Sequence, residues 1–408
     1  MRILVVASDF PWPMTQGGHL RLSTAIRALA DIGPVDLFTL YDYRDAAPEL
    51  PHDLEVARLK TVAHRGPASQ IGWRATWASH RGVPLEVVMQ STDRTPRLDF
   101  EAWVADRYDL VWFERAAMFE LMGRPRLGPT VVDLVDLEDA KALLRARTLR
   151  AELSLRDVRT TLRAAAAWMQ TRVNARDWRQ FQRSVARDVD RVVLSSSLDV
   201  QRSGLPNAAM VPNTYARPPH PVGHLNVGTP SVVLFQATFD YAPNVDAVDW
   251  LLTEVQPRLS ARRHDVQIRL VGKPVPGVTC RHRPPGITVV GVAPSMGPEM
   301  ARADIAVVPL RFASGTRLKI LESFAHRVPV VSTTIGAEGL HVEHGVHLLL
   351  ADDPEDFAIA CERLLSEPAL RKRLVDAAEE RYLEEYECAA ARARIEDLAR
   401  QVSGDGPS

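Results

Sequence analysis

The stretch SGTRLKILES, residues 314–323, sets Gly315, Arg317, Lys319 and Glu322 between the apolar runs DIAVVPL and VPVVST. Two cations and a carboxylate at a strand-to-helix seam suit a ligand that carries both phosphate and sugar hydroxyls. Arginine grips phosphate oxygens with a planar fork, and lysine supplies a compact, mobile point charge. Glu322, five residues after Arg317, can accept hydrogen bonds from vicinal hydroxyls. Gly315 lets the backbone approach a ligand closely, and Thr316 suits the N-cap of a helix beginning near Arg317. A helix start adds unsatisfied N–H groups and the positive end of its dipole, both favourable to phosphate. The parts together describe a nucleoside-diphosphate site. The competing reading is a solvated helix start whose Arg, Lys and Glu pair along the helix.

Positioning such a seam requires a strand ending and a helix beginning, and the chain supplies that alternation throughout. In the first half RILVVA (2–7), VDLFTL (35–40), DLVWF (109–113), TVVDLV (130–135) and RVVLSS (191–196) read as strands. In the second half VVLFQA (232–237), VQIRLVG (266–272), ITVVGV (287–292), DIAVVPL (304–310), VPVVST (328–333) and HLLLA (347–351) do the same. Continuous apolar strands separated by helical patterns predict parallel sheets covered on both faces, and two such series predict two doubly wound α/β domains. The expected boundaries are an N-terminal domain over 1–212 and a linker over 213–230. A C-terminal domain over 231–385 and a terminal helix and tail over 386–408 follow, with GDGPS disordered.

Composition narrows the class. At 408 residues, with 46% hydrophobic and 25% charged residues, the chain reads as soluble and two-domain. A formal net charge of −1 gives no bulk electrostatic case for nucleic acid. Three cysteines far apart indicate neither a disulfide framework nor a cysteine zinc site, and point to the cytoplasm. No apolar run approaches the length of a transmembrane span, which leaves peripheral contact with the inner face of the membrane as the membrane association to expect. From Lys141 to Arg191 thirteen basic residues face five acidic ones, and Arg172, Arg176, Arg179, Arg183, Arg187 and Arg191 recur at three- and four-residue steps. That row is either a solvated face or a surface for anionic lipid headgroups or a phosphate-bearing acceptor.

The run VPLRFASGTRLKILESFAHRVPVVSTTIGAEGL resembles the donor-binding signature of family-four, retaining glycosyltransferases of the GT-B fold. It is most similar to their bacterial branch associated with exopolysaccharide loci. MRILVVASDFPWPMTQGGHLR, VVDLVDLED, SSSLDV, VPNTY, FDYAPNVDAVDWLL, RLVGKP and ADDPEDFA extend the resemblance along the chain. It implies two Rossmann-like domains facing a central cleft, the C-terminal one holding a nucleotide-sugar donor and the N-terminal one presenting the acceptor. A hexose would pass to a hydroxyl of a glycan, lipid-linked glycan or small molecule with retention, and without a metal or other cofactor. Glu322 would hold the donor ribose. The Gly315–Leu318 turn, Arg317 and Lys319 would neutralise the departing diphosphate. Gly291 and Val292 would read the nucleobase, and Gly17 and Gly18 would let the backbone approach the donor, unless they merely open the first helix.

Three departures from the family pattern bear on this reading. Ser314 stands eight residues before Glu322, where the family's first carboxylate usually sits. QATFDYAPNVD lacks the Arg and Lys that many relatives carry there. Asp136 replaces a common His, with Asp133 three residues before it. Asp136 either orients or deprotonates an acceptor hydroxyl, or caps the following helix. HVEHGVH (341–347) offers potential metal ligands without HExxH spacing. Two alternative functions stand beside glycosyl transfer: a non-hydrolysing nucleotide-sugar epimerase, which shares the GT-B architecture but needs a cleft rich in paired acids and histidines, and a catalytically silent partner protein that binds nucleotide-sugar, which the absent carboxylate at Ser314 leaves open.

Overall fold

The computed structural model describes residues 1–14, 17–42, 49–64, 82–143, 158–219, 221, 229–239, 241–273, 286–312, 315 and 317–404, without the side chains of 158–164 and 166. The chain divides into two compact units, Met1–Asn213 with Ala391–Ser408, and Thr214–Ala390.

The first unit is built on a parallel sheet of β1 (Ile3–Ala7), β2 (Val35–Asp42), β3 (Arg58–His64), β4 (Leu110–Glu114), β5 (Thr130–Val135), β6 (Arg191–Leu194) and β7 (Ala208–Met210). Its strand order is β3-β2-β1-β4-β5-β6-β7. Helices α1 (Gly17–Ile32), α2 (Leu85–Gln90), α3 (Thr95–Trp103), α4 (Ala116–Leu121), α5 (Val158–Asp188) and α6 (Ser197–Ser203) connect them. The continuous apolar run of β1 is explained by its two cores. Ile3, Val5 and Ala7 pack with Leu22, Ile26 and Leu29 of α1, while Leu4 and Val6 pack with Phe113, Phe119 and Phe181. Alternate side chains of one strand thus enter opposite cores, so no polar position survives between them.

The second unit repeats the topology. Strands β8 (Ser231–Gln236), β9 (Val266–Val271), β10 (Ile287–Gly291), β11 (Ile305–Val308), β12 (Val330–Ser332) and β13 (Leu349–Leu350) form a parallel sheet in the order β10-β9-β8-β11-β12-β13. Around it lie α7 (Ala242–Trp250), a π-helical segment Leu251–Val255, α8 (Gln256–Arg262), α9 (Gly297–Arg302), α10 (Leu318–Ala325), α11 (Pro354–Ser366) and α12 (Pro368–Arg381). In each sheet the order reverses beside the first strand, between β1 and β4 and between β8 and β11. Ligands of open α/β sheets bind outside the carboxyl ends of strands at such a reversal.

The last helix, α13 (Cys388–Ser403), returns the chain to the first unit. Ala391, Ile395, Leu398 and Ala399 form one helical stripe buried in the α1 side of its core. Two strands lie outside the runs expected from the sequence, β3 and β7. β3, RLKTVAH, is an edge strand in which only Val62 is buried, on the same face as Arg58, Lys60 and His64, and β7 has only 3 residues. Of the long helical pattern over 138–190, α5 covers Val158–Asp188, while 144–157, like residues 405–408 of the tail, lie outside the described residues. Among the described residues no helix is long and apolar enough to cross a membrane.

Candidate functional site

The site is assembled where β8 and β11 diverge. After β11 the chain turns through Gly315, whose φ of 75° lies in the left-handed region that penalises any side chain. α10 then starts at Leu318 with Arg317 as its N-cap residue, φ −84° and ψ 91°, and no side-chain cap bond. The cap expected at Thr316 is therefore one residue early, and Ser314 and Thr316 themselves lie outside the described residues. Ile320, Leu321 and Phe324 bury one face of α10 in the core. Lys319 and Glu322, three residues apart, lie together on another side of the helix.

Each charged group is held by a named partner. Buried Arg317 donates from Nη2 to the Ile335 carbonyl at 3.2 Å. Lys319 Nζ donates to Asn244 Oδ1 at 3.0 Å and lies 5.1 Å from the centre of the Phe235 ring. Asn244 is oriented for this by donating its Nδ2 to the Thr238 carbonyl at 2.9 Å. Glu322 accepts the Tyr215 hydroxyl on Oε1 at 2.7 Å and Gln236 Nε2 on Oε2 at 3.4 Å. Gln236, the last residue of β8, also donates to the Lys319 carbonyl at 3.2 Å. Four separate segments of the unit therefore meet on the first turns of α10.

The electrostatics of this cluster are unbalanced. Burial, and then the neighbouring Arg317 guanidinium, push Lys319 down to about 7, against a smaller opposing pull from Glu322. Burial raises Glu322 above the ordinary carboxylate range, despite the Tyr215 and Gln236 hydrogen bonds and the Lys319 charge that pull it back. Burial, followed by the Glu322 carboxylate, raises the Tyr215 phenol. Burial and a like charge at the same helix start both disfavour the charged lysine, and an anion arriving there would favour it. Groups displaced in this way, at a topological switch, mark a candidate functional site.

Gly291 ends β10 with φ 83° and open space where a Cβ would stand, so backbone conformation rather than crowding selects glycine there. Val292 beside it is 70% exposed. In the first unit, Gly17 and Gly18 form the first turn of α1, and a Cβ on Gly18 would meet Arg115 Nη2 at an ordinary 3.6 Å.

The acidic pair of β5 separates into two roles. Asp133 is buried and takes both arms of the Arg21 guanidinium, at 2.7 and 2.9 Å, while Arg21 also donates to Val211 O and Asn213 Oδ1. Its role is to tie α1 to the sheet. Asp136 instead pairs with Lys141 Nζ at 2.9 Å and lies 3.5 Å from Ser195 Oγ. Burial lowers Lys141, but Asp136 and Glu138 outweigh it and hold the ammonium above its ordinary range. Val135 between the two acids has φ 64°, and Arg115 after β4 has φ 70°. Left-handed backbone at non-glycine residues at the ends of two adjacent strands is the kind of strain that collects at functional sites.

Tyr215, Gln236 and Asn244 are site residues that sequence reasoning missed, although VPNTY, VVLFQA and FDYAPN contain them. The histidines of HVEHGVH are engaged locally: His341 pairs with Glu385 at 2.8 Å, His344 Nδ1 accepts the Leu350 amide and His347 Nδ1 accepts the Glu343 amide. Among the described residues no group of three or more metal-ligating side chains converges.

Residues 230–367, from the edge of β8 through α11, match the family model of glycosyl transferases group 1. The second unit is related to that family. Over the whole chain the fold matches a sucrose-phosphate synthase from Thermosynechococcus elongatus, with 16% identity, 100% of both chains covered and a TM-score of 0.67. It also matches HepE of Anabaena solved with UDP and glucose, with 13% identity, 97% of this chain and 98% of that one covered, and a TM-score of 0.58. These likenesses establish the GT-B fold. An uncharacterized 44.6 kDa protein in the cps region of Klebsiella pneumoniae is 22% identical over 377 residues, covering 88% of this chain and 89% of the relative.

Proposed function

We propose that the protein transfers a hexose from a nucleoside-diphosphate sugar to an acceptor hydroxyl with retention of configuration. The observation that carries this reading is the Lys319–Arg317–Glu322 cluster at the start of α10. Its lysine is held down to about 7 by burial and by the adjacent Arg317, and its carboxylate is held by a hydroxyl donor and an amide donor. The group 1 glycosyl transferase match over the same unit supports it.

The donor diphosphate takes the first-turn amides of α10 together with Arg317 and Lys319. The ribose takes Glu322, and the nucleobase lies against the backbone of Gly291 and Val292. Of the first unit's residues, the backbone of Gly17 and Gly18 is assigned to the donor and Asp136 to the acceptor hydroxyl. In the transfer, the acceptor oxygen bonds to the anomeric carbon as the bond to the diphosphate oxygen breaks. The diphosphate leaves with the electron pair and receives the acceptor's proton. Lys319, Arg317 and the positive end of α10 stabilise the charge growing on that oxygen, the dominant catalytic need for such a leaving group. No side chain need form a covalent intermediate.

A thermal-shift panel of UDP, GDP, ADP and dTDP and their hexose conjugates tests the reading, since a ligand of the native state raises its melting temperature. At least one should do so, and hydrolysis or transfer of the matching donor should fall by about 10²–10³ in Lys319→Ala and Glu322→Ala. No shift with any of these ligands would overturn the proposal.

A further inference from the structure

One charged surface lies outside the donor site and plays no part in the reaction above. α5 buries Trp178, Phe181 and Val185 in the core of the first unit and turns Arg176, Arg179, Arg183 and Arg187 outward. These four line a cavity of about 350 Å³ with Gln180 and Ser184. The chain is rich in arginine everywhere, so abundance alone does not make a site. What distinguishes this row is its pairing. Elsewhere, several exposed basic residues on helices find a carboxylate four residues away, as in Arg97–Glu101, Arg258–Glu254, Arg363–Glu367 and Lys372–Asp376. Along α5 from 176 to 187 the residue four positions from each arginine, where it lies within that span, is another arginine or is uncharged.

The nearby acids are committed. Asp139 takes Arg179 Nε at 2.9 Å, and Asp188 takes Arg124, which also donates to Ser184 Oγ at 2.9 Å. Among the described residues Arg176, Arg183 and Arg187 have no ion-pair partner. Like charges repeated at helical spacing repel one another and weaken an isolated helix. A ligand that brings several anionic oxygens into the cavity converts this repulsion into binding. Guanidinium forks on one helix face match the oxygens of phosphate and diphosphate better than a lysine row would.

We propose that the Arg176–Arg187 face of α5 is a second anion site, specific for phosphoryl or diphosphoryl groups, carried by the first unit. Two sources share that chemistry, a soluble diphosphate and a phosphorylated lipid headgroup. The proposal stands on different residues from the donor site and does not depend on it.

The test compares the full-length protein with the triple variant R176Q/R183Q/R187Q, which keeps good helix formers at exposed positions. One arm titrates inorganic pyrophosphate by calorimetry at low ionic strength. The other floats the protein with phosphatidylcholine vesicles, with and without phosphatidylglycerol. Affinity in at least one arm should fall tenfold or more in the variant, and wild-type binding should weaken steeply with added salt. Loss in the first arm only identifies a soluble ligand; loss that depends on phosphatidylglycerol identifies a headgroup. Binding of neither probe by the wild type, or equal binding by both proteins, would overturn the proposal. The shift of melting temperature with nucleoside diphosphate is read in the same variant. It should be unchanged, so failure of this site and failure of the donor site are told apart.

Discussion

Tyr215 donates its hydroxyl to Glu322 Oε1 at 2.7 Å, joining the segment that opens the second unit to the helix that carries its cations. Tyr215 is itself fixed: its carbonyl accepts the Tyr382 hydroxyl at 2.9 Å and its amide bonds to the Tyr386 carbonyl at 3.2 Å. The bond orients the carboxylate and favours its charged form against burial. A ribose-holding acceptor needs both properties.

Tyr215→Phe removes the hydroxyl and little else. A hydrogen bond to a charged group contributes about 1.5–3 kcal/mol, so chemical denaturation should show a loss of that order. Nucleoside-diphosphate affinity should fall roughly tenfold, since a more protonated and less oriented Glu322 is a poorer acceptor. Unchanged affinity together with unchanged stability would show that Tyr215 does not set the state of Glu322.

The depressed Lys319 pKa gives nucleotide binding a pH signature. Lys319 titrates at about 7 in the free protein, and a bound diphosphate raises it again by supplying negative charge. Below that pH the lysine is already protonated, so affinity changes little on its account. Above it, binding takes up a proton, and affinity should fall by up to about tenfold per pH unit until the pKa of the complex is reached. Calorimetry in HEPES and Tris at a pH above 7 should give binding enthalpies that differ by the buffers' ionisation enthalpies, in the sense of uptake. The Lys319→Met variant should bind weakly and show no such dependence. A wild-type affinity that stays flat across this range would refute the assignment.

Much of this architecture is legible in the chain because both sheets are parallel and covered, so their strands are uninterrupted apolar runs. β3 escapes because Arg58, Lys60, Thr61 and His64 break up its apolar residues and only Val62 is buried, and β7 because three residues carry no pattern. Gly315, Arg317, Lys319 and Glu322 are legible because they are neighbours in sequence. Tyr215 and Gln236 lie 107 and 86 residues from Glu322; the placement of β8 beside β11 brings Gln236 to it, and the bonds to Tyr382 and Tyr386 hold Tyr215 there. Local spacing likewise does not separate Asp133 from Asp136, because the distinction depends on Arg21, 112 residues away.

That distinction supplies the last prediction. Asp133 and Arg21 form a buried pair, and removing one partner leaves an uncompensated charge, at a cost of roughly 3–5 kcal/mol. Asp133→Ala should therefore melt the first unit at markedly lower temperature, whatever happens to activity. Asp136→Asn leaves Lys141 its second carboxylate, Glu138, at 2.9 Å, and should change stability little. If Asp136 positions the acceptor hydroxyl, the same change should slow transfer by about 10²-fold while donor binding persists. Measured melting temperatures and single-turnover transfer rates separate the two. A destabilised Asp136→Asn, or one with full activity, would return Asp136 to a structural role.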